Sequence, residues 1–173
     1  YVALEMARLA PDRVVGMALL STGYKQDTAD KRHQRLATIK MAQSDKFRGV
    51  THRLLGAFLA PEAMADDALV ARVIQMAQDV GRHAFVTQQT AILGRNDQSA
   101  TLAAFAGEIT ILCGMLDELT PPHLSQEMAA LAPRAELVLV PEIGHLSSLE
   151  APDAVNTAII DLLARVLAWP TGG

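Results

Sequence analysis

The chain has 173 residues, of which 50% are hydrophobic, 20% are charged and 4% are aromatic, and its formal net charge is −4. This length supports one substantial hydrophobic core, and so about one domain, and the composition excludes a disulfide miniprotein, a collagen-like fibre and a disordered tail. The acidic balance argues against a nucleic-acid partner, because nucleic-acid binding requires a basic surface.

The cellular setting is indicated by the cysteine content and by the length of the apolar runs. Cys113 is the only cysteine, so no internal disulfide can form and a reducing compartment is expected. No apolar run approaches the ~18 residues of a membrane span, and no signal-peptide pattern is present. The sequence therefore predicts a cytoplasmic protein without a membrane partner.

The first twenty residues predict a helix followed by a buried strand. Apolar side chains recur at helical spacing over residues 2–10, and Pro11 ends the helix because it lacks a backbone donor. Residues 14–20 are nearly all apolar, which is typical of a strand covered on both faces in a parallel sheet. Because the sequence opens on Tyr1 inside this helix, we expect a fragment whose preceding part is absent.

The region from residue 25 to about residue 95 predicts an all-helical insertion, since charged and apolar residues recur at helical spacing and no strand pattern is found. Helices are predicted around residues 36–42, over 50–59, from Asp66 or Asp67 to before Gly81, and over 84–93.

The alternation of helices and strands resumes after the insertion. A short helix is predicted to end at Phe105, and strands are predicted over 109–114 and 136–140. Between the strands, Thr120 is expected to cap a helix through its hydroxyl, with proline at the first helical position. An amphipathic helix is predicted over 153–167. The order of elements indicates an α/β fold with three parallel strands and flanking helices.

Two loops carry the candidate catalytic residues, and each loop directly follows a predicted strand. Asp117 lies in the loop after the second strand, and His145 lies in the loop after the third strand, 28 positions further along. Open α/β sheets place ligands and reactive groups at the carboxyl ends of their strands. Because a helix and a strand separate the two loops, we expect both side chains at the same edge of adjacent parallel strands, within reach of each other.

These loops resemble those of the α/β-hydrolase superfamily. The matching positions are Gly114, Asp117, Thr120 and Pro121 in the first loop, and Gly144, His145, Leu149, Glu150 and Pro152 in the second. Residues 1–20 resemble the helix that follows the family's nucleophile elbow and the next strand, and the insertion resembles the family's cap. The resemblance implies the C-terminal part of that fold, with core residues 1–24, a cap over 25–95 and core residues 96–173.

The resemblance also implies a Ser-His-Asp triad. His145 would be the general base and Asp117 its orienting acid, chosen over Glu118 because it is the third residue after Gly114. The family's nucleophile lies in a Gly-x-Ser-x-Gly turn, which this sequence does not contain, so we expect it upstream of Tyr1. No metal and no organic cofactor is implied, and the other histidines lack the spacing of metal ligands.

The implied function is hydrolysis of a small ester or a related carbonyl substrate, with the fragment alone inactive. Alternatives with the same fold are a dehalogenase, a cofactor-free haloperoxidase and a carbon–carbon bond hydrolase. A non-catalytic binding or scaffold protein is a further alternative. Candidates for substrate contact, where the cap rejoins the sheet, are Phe85, Gln88, Gln89 and Arg95. An exposed sheet edge is expected to cause self-association or pairing with the missing part.

Overall fold

The sheet contains three parallel strands in the part of the chain that the computed structural model describes, namely residues 1–44, 49 and 52–168. The strands are β1 (Gly16–Leu20), β2 (Glu108–Gly114) and β3 (Ala135–Val140), and they lie in chain order, with β2 in the centre. The predicted strands are therefore present and parallel. Every residue of β2 is buried, which agrees with its continuous apolar run.

Helices flank the sheet and form the insertion. They are α1 (Val2–Leu9), α2 (Ala29–Ala42), α3 (His52–Leu55), α4 (Pro61–Met64), α5 (Asp67–Leu93), α6 (Ser99–Ala104), α7 (Pro122–Leu131), α8 (Ser147–Glu150) and α9 (Pro152–Leu167), with a 3-10 turn at Pro11–Arg13. No helix among these described elements is both long enough and apolar enough to cross a membrane.

The core lies on both faces of the sheet. One face packs against α1, α6 and α7, through a cluster that includes Leu4, Leu19, Leu102, Ile111 and Met128. The other face packs against α9, through Leu112, Val155 and Ala158. The expected burial of the first strand on both faces is wrong at one point, since Ala18 is exposed. The physical reason is that β1 forms an edge of this sheet and α9 covers only part of its outer face.

The described residues of the insertion form helices joined by turns and no strand, as predicted, and the insertion leaves and rejoins the sheet at one place. The backbone N–H of Gln98 donates to the carbonyl of Tyr24 at 3.0 Å, which closes the base of the insertion. Within α5 the helical geometry is broken at Gly81, which has φ +72°, so α5 consists of two helical segments that meet at this glycine, where the sequence predicted the boundary between two helices. Residues 50 and 51 of the helix predicted over 50–59 lie outside the described residues.

Candidate active site

The loops after β2 and β3 touch because a glycine ends β2. A side chain at Gly114 would place its Cβ 2.2 Å from the carbonyl oxygen of Ile143 and 2.3 Å from that of Gly144. The backbone N–H of Met115 donates to Val140 at 2.9 Å, and that of Leu116 donates to Ile143 at 2.9 Å. The first loop is thus held against the second by backbone contacts that only glycine permits.

Asp117 is buried, and four of the hydrogen bonds that it accepts are shorter than 3.0 Å. Its Oδ1 accepts from the backbone N–H groups of Leu119 at 2.9 Å and Thr120 at 2.8 Å. Its Oδ2 accepts from the Thr120 hydroxyl at 2.8 Å and from Nδ1 of His145 at 2.9 Å. The expected helix cap is therefore wrong: Pro121 occupies the N-cap position of α7, and the Thr120 hydroxyl binds the carboxylate, which is the stronger acceptor.

These contacts keep Asp117 ionised. Burial alone raises the pKa of this carboxyl, but hydrogen bonds from His145 and Thr120 outweigh burial, and the pKa lies below its ordinary value. The neighbouring thiol of Cys113 has the opposite character, because burial and the nearby charge of Asp117 raise its pKa. The thiol is thus protonated near neutral pH and is a poor candidate for a nucleophile.

One of the two nitrogens of the His145 imidazole is hydrogen-bonded to Asp117. Nδ1 faces the ionised carboxylate and so carries the proton in the neutral ring, while Nε2 has no hydrogen-bond partner among the described residues. The side chain is 22% exposed, and the ring of Phe58 meets it edge-on with centroids 6.1 Å apart. The arrangement leaves a proton acceptor, Nε2, available to a reactant.

Two of the four predicted substrate contacts belong to an ion-pair cluster at the base of the insertion. The buried carboxylate of Asp27 accepts from Arg95 at 3.0 Å and from two nitrogens of Arg35 at 2.6 and 3.2 Å. Gln89 accepts from Arg35 at 2.5 Å. The pKa of Asp27 lies below its usual range, mainly because of the hydrogen bonds from Arg35.

The other two predicted contacts lie on the same helix, α5, where Phe85 is half-buried and Gln88 is exposed. Arg95 lines a cavity of about 260 Å³ together with Tyr1 and Glu5 of α1. Within the described part of the chain, no hydrogen bond joins Gln88, Gln89 or Arg95 to the Asp117–His145 pair. The structure thus brings Asp117 and His145 together, and the role of Phe85, Gln88, Gln89 and Arg95 in substrate binding stays a prediction.

Glu150 is a residue of the site to which sequence reasoning gave no role. It belongs to the motif after His145, but its contacts include Ala60, 90 positions earlier in the chain. A sequence cannot reveal a pairing over that separation, although a carboxylate five residues after the histidine was a visible signal. No group of three or more histidine, cysteine, aspartate or glutamate residues that could hold a metal ion is found in the described ranges.

The sequence and the fold are both similar to those of known hydrolases. The family model described as alpha/beta hydrolase fold matches residues 1–152. An esterase from Thermogutta terrifontis has a TM-score of 0.88 at 23% identity, over 96% of this chain and 61% of the esterase. An enol-lactonase from Burkholderia xenovorans has a TM-score of 0.77 at 18% identity, over 94% and 61% of the two chains.

A curated relative is more similar over a shorter stretch. A Mycobacterium tuberculosis protein named "Putative non-heme bromoperoxidase BpoC" is 42% identical over 52 residues, which is 30% of this chain and 20% of that protein. This chain therefore spans about three fifths of the similar solved structures and a smaller part of the curated relative. With a family match over most of its length and the same fold, the chain belongs to the alpha/beta hydrolase family.

Proposed function

We propose that this chain supplies the acid and the base of a hydrolase that attacks a small ester, or a related carbonyl compound, through a hydroxyl nucleophile. The observation that carries the proposal is the 2.9 Å contact between Oδ2 of Asp117 and Nδ1 of His145. Three further hydrogen bonds hold that carboxylate in place, so the imidazole is oriented and its Nε2 is left open.

In this reaction His145 moves one proton in each half-cycle. Nε2 accepts the hydroxyl proton as the oxygen attacks the carbonyl carbon, and Asp117 stabilises the resulting imidazolium. The same proton then passes to the leaving alkoxide as the carbon–oxygen bond of the ester breaks. Water repeats the sequence on the acyl group, giving the carboxylic acid. Neither step requires a metal or an organic cofactor.

The nucleophile would come from a segment outside this sequence, which contains no Gly-x-Ser-x-Gly pentapeptide. Cys113 does not replace it, because its thiol is buried and its pKa is raised. The names of two structural neighbours, an esterase and an enol-lactonase, support cleavage of an ester-type bond.

The test compares this chain with the same chain extended upstream, using a chromogenic short-chain ester. We expect turnover only from the extended protein, and loss of that turnover in His145→Gln. The matched control is His123→Gln, which removes an exposed histidine from α7 and should leave turnover unchanged. Equal rates from the short and extended chains would contradict the proposal. An extended protein that has a serine elbow but no turnover would favour a binding or scaffold role.

A haloperoxidase is a second candidate, and the observation in its favour is the 42% identity to the bromoperoxidase-named relative over 52 residues. The same acid and base would serve either reaction. Bromination of a phenol indicator by the extended protein with bromide and hydrogen peroxide separates the two. Bromination without ester cleavage would favour the haloperoxidase, and the reverse result would favour the esterase.

We also propose that this chain associates through its first strand and helix. The edge of β1 is unpaired within the described sheet, and an edge strand invites further pairing. Apolar side chains next to it are exposed, with Met6 at 58%, Leu9 at 68% and Val15 at 65% of their full accessibility. A second copy or a preceding segment of the protein would cover them.

A further inference from the structure

The backbone on both sides of His145 is held by the carboxylate of Glu150. Oε2 of this side chain accepts from the backbone N–H of Gly144 at 3.0 Å, and Oε1 accepts from that of Leu146 at 3.1 Å. Glu150 ends α8, the short helix that follows the histidine. The two residues that flank the general base are therefore tied to one carboxylate.

The same carboxylate also reaches the cap. Oε2 accepts from the backbone N–H of Ala60 at 2.8 Å, at the start of α4. Two residues earlier, the carbonyl of Phe58 accepts from the backbone N–H groups of His145 at 2.9 Å and Leu146 at 3.2 Å. Glu150 thus bridges the cap segment and the histidine loop, and the bridge runs alongside two direct backbone bonds.

The close approach of the two segments depends on Gly144. A Cβ at this position would lie 2.7 Å from the backbone nitrogen of Ala60 and 3.0 Å from the carbonyl oxygen of Phe58. The cap core adds apolar contact, since Leu146 and Leu149 pack against its buried cluster of Leu55, Leu59, Val70 and Val73. The histidine loop is consequently packed as part of the cap, although it belongs to the sheet in sequence.

We propose that Glu150 is a positioning residue that makes the placement of the His145 imidazole depend on the placement of the cap. Its carboxylate is the one side chain among the described residues that accepts hydrogen bonds from both the cap backbone and the histidine loop. A shift of Ala60 is transmitted through Oε2 to Gly144, and so to the backbone next to the base. The catalytic consequence rests on the proposed function; the structural coupling does not.

The acceptor pattern predicts how substitutions at position 150 rank. The side-chain oxygen of glutamine can occupy the place of Oε2 and accept from the backbone N–H groups of Ala60 and Gly144. The N–H of Leu146 can still donate to the carbonyl of Phe58. Alanine leaves the N–H groups of Ala60 and Gly144 without this partner. Since an unmade bond to a buried donor is costly, Glu150→Ala should perturb the loop more than Glu150→Gln does. Glutamine is thus the partial-rescue variant.

The first arm of the test uses this chain and needs no activity. Exchange with water of the proton on Nδ1 of His145, and of the backbone amides of residues 58–60 and 144–146, is measured by NMR. We expect exchange at both places to rise about tenfold in Glu150→Ala and less in Glu150→Gln. The control, Glu142→Gln, removes an exposed carboxylate from the same loop and should change neither. Circular dichroism first confirms that each variant is folded, and Glu150→Gln carries the test if the alanine variant is not.

The second arm measures ester hydrolysis by the upstream-extended protein. We expect kcat to fall about tenfold in Glu150→Gln and about a hundredfold in Glu150→Ala, with KM changed less than about threefold, because a misplaced base slows chemistry more than binding. Folded variants with an unchanged Nδ1 proton, or with unchanged kcat in an active enzyme, would overturn the proposal. If the extended parent hydrolyses no ester, the proposed function fails, and the NMR arm still decides the positioning role.

Discussion

Replacing Asp117 by asparagine should reverse the tautomer of His145. Oδ1 accepts two backbone N–H groups, from Leu119 and Thr120, so the amide oxygen of asparagine must occupy that place. The opposite orientation would turn an NH2 group toward both donors and cost about 2–6 kcal/mol, at 1–3 kcal/mol for each bond left unmade. The NH2 group therefore takes the place of Oδ2, 2.9 Å from Nδ1.

The consequence for His145 follows from the direction of that bond. An NH2 group donates, so Nδ1 must accept, and the single proton of the neutral ring moves to Nε2. The Thr120 hydroxyl, which donates to Oδ2 in the parent, can rotate and accept, so the fold should lose only about 1–2 kcal/mol. A ring with Nε2 protonated cannot take the hydroxyl proton, and kcat of the extended protein should fall about 10⁴-fold, or ~5.4 kcal/mol.

The assay is a two-bond proton–nitrogen correlation spectrum of the histidine rings, recorded on this chain at a pH at which the spectrum itself reports neutral rings. The parent should show the proton of His145 on Nδ1, and Asp117→Asn should show it on Nε2. His123, which is exposed on α7, serves as the internal control. A variant that keeps the proton on Nδ1, or that retains a tenth of the parent's turnover, would refute this reasoning.

Three further outcomes are expected. Asp27→Asn should lower the free energy of unfolding by about 2–3 kcal/mol, a value between those typical of exposed and of fully buried ion pairs. The reason is that the carboxylate of Asp27 is 3% exposed, whereas the two arginines that it faces are about a fifth exposed. Because the pKa of Asp27 is depressed, this stabilisation is present above the ordinary value of about 3.9 and is lost as pH falls through the folded-state pKa. The unfolding free energies of the parent and the variant, measured by denaturation, should therefore differ less at pH 3 than at pH 7. Gly114→Ala should lower the free energy of unfolding by at least about 3 kcal/mol, or the Tm by ~6–12 °C. The control is Gly23→Ala, whose Cβ would meet nothing within 4 Å and which should leave the Tm nearly unchanged. Similar Tm values for the two variants would contradict the close approach at Gly114. Gel filtration should give an apparent mass above 18.5 kDa, and a monodisperse monomer would count against association through β1.

The sheet could be predicted from the sequence because a strand that is buried on both faces consists almost entirely of apolar residues. The apolar run predicted over 109–114 is β2, and the run predicted over 136–140 is β3, each within one residue of its observed limits. The first strand was predicted two residues too long, and Ala18 is exposed, because a run of apolar letters does not distinguish an edge strand from a central one.

The meeting of Asp117 and His145 could be predicted for a related reason. In a parallel sheet the carboxyl ends of adjacent strands share one edge, so two loops in the right chain order must lie side by side. The order of elements alone therefore indicates proximity, and the structure adds the distance. The helical character of the insertion was equally visible, since it depends on periodicity over short stretches.

The partners of individual polar groups were decided only by tertiary structure. Thr120 has the sequence context of a helix cap, yet its hydroxyl donates to Asp117. Glu150 belongs to the motif after His145, but the motif does not indicate that its carboxylate accepts from the backbone N–H of Ala60. Periodicity records which face of an element is buried, whereas a hydrogen bond depends on the positions of single atoms in loops that pack from distant parts of the chain. The sequence by itself determined the α/β architecture and the proximity of Asp117 and His145. How the insertion holds the histidine loop was decided by the packed structure.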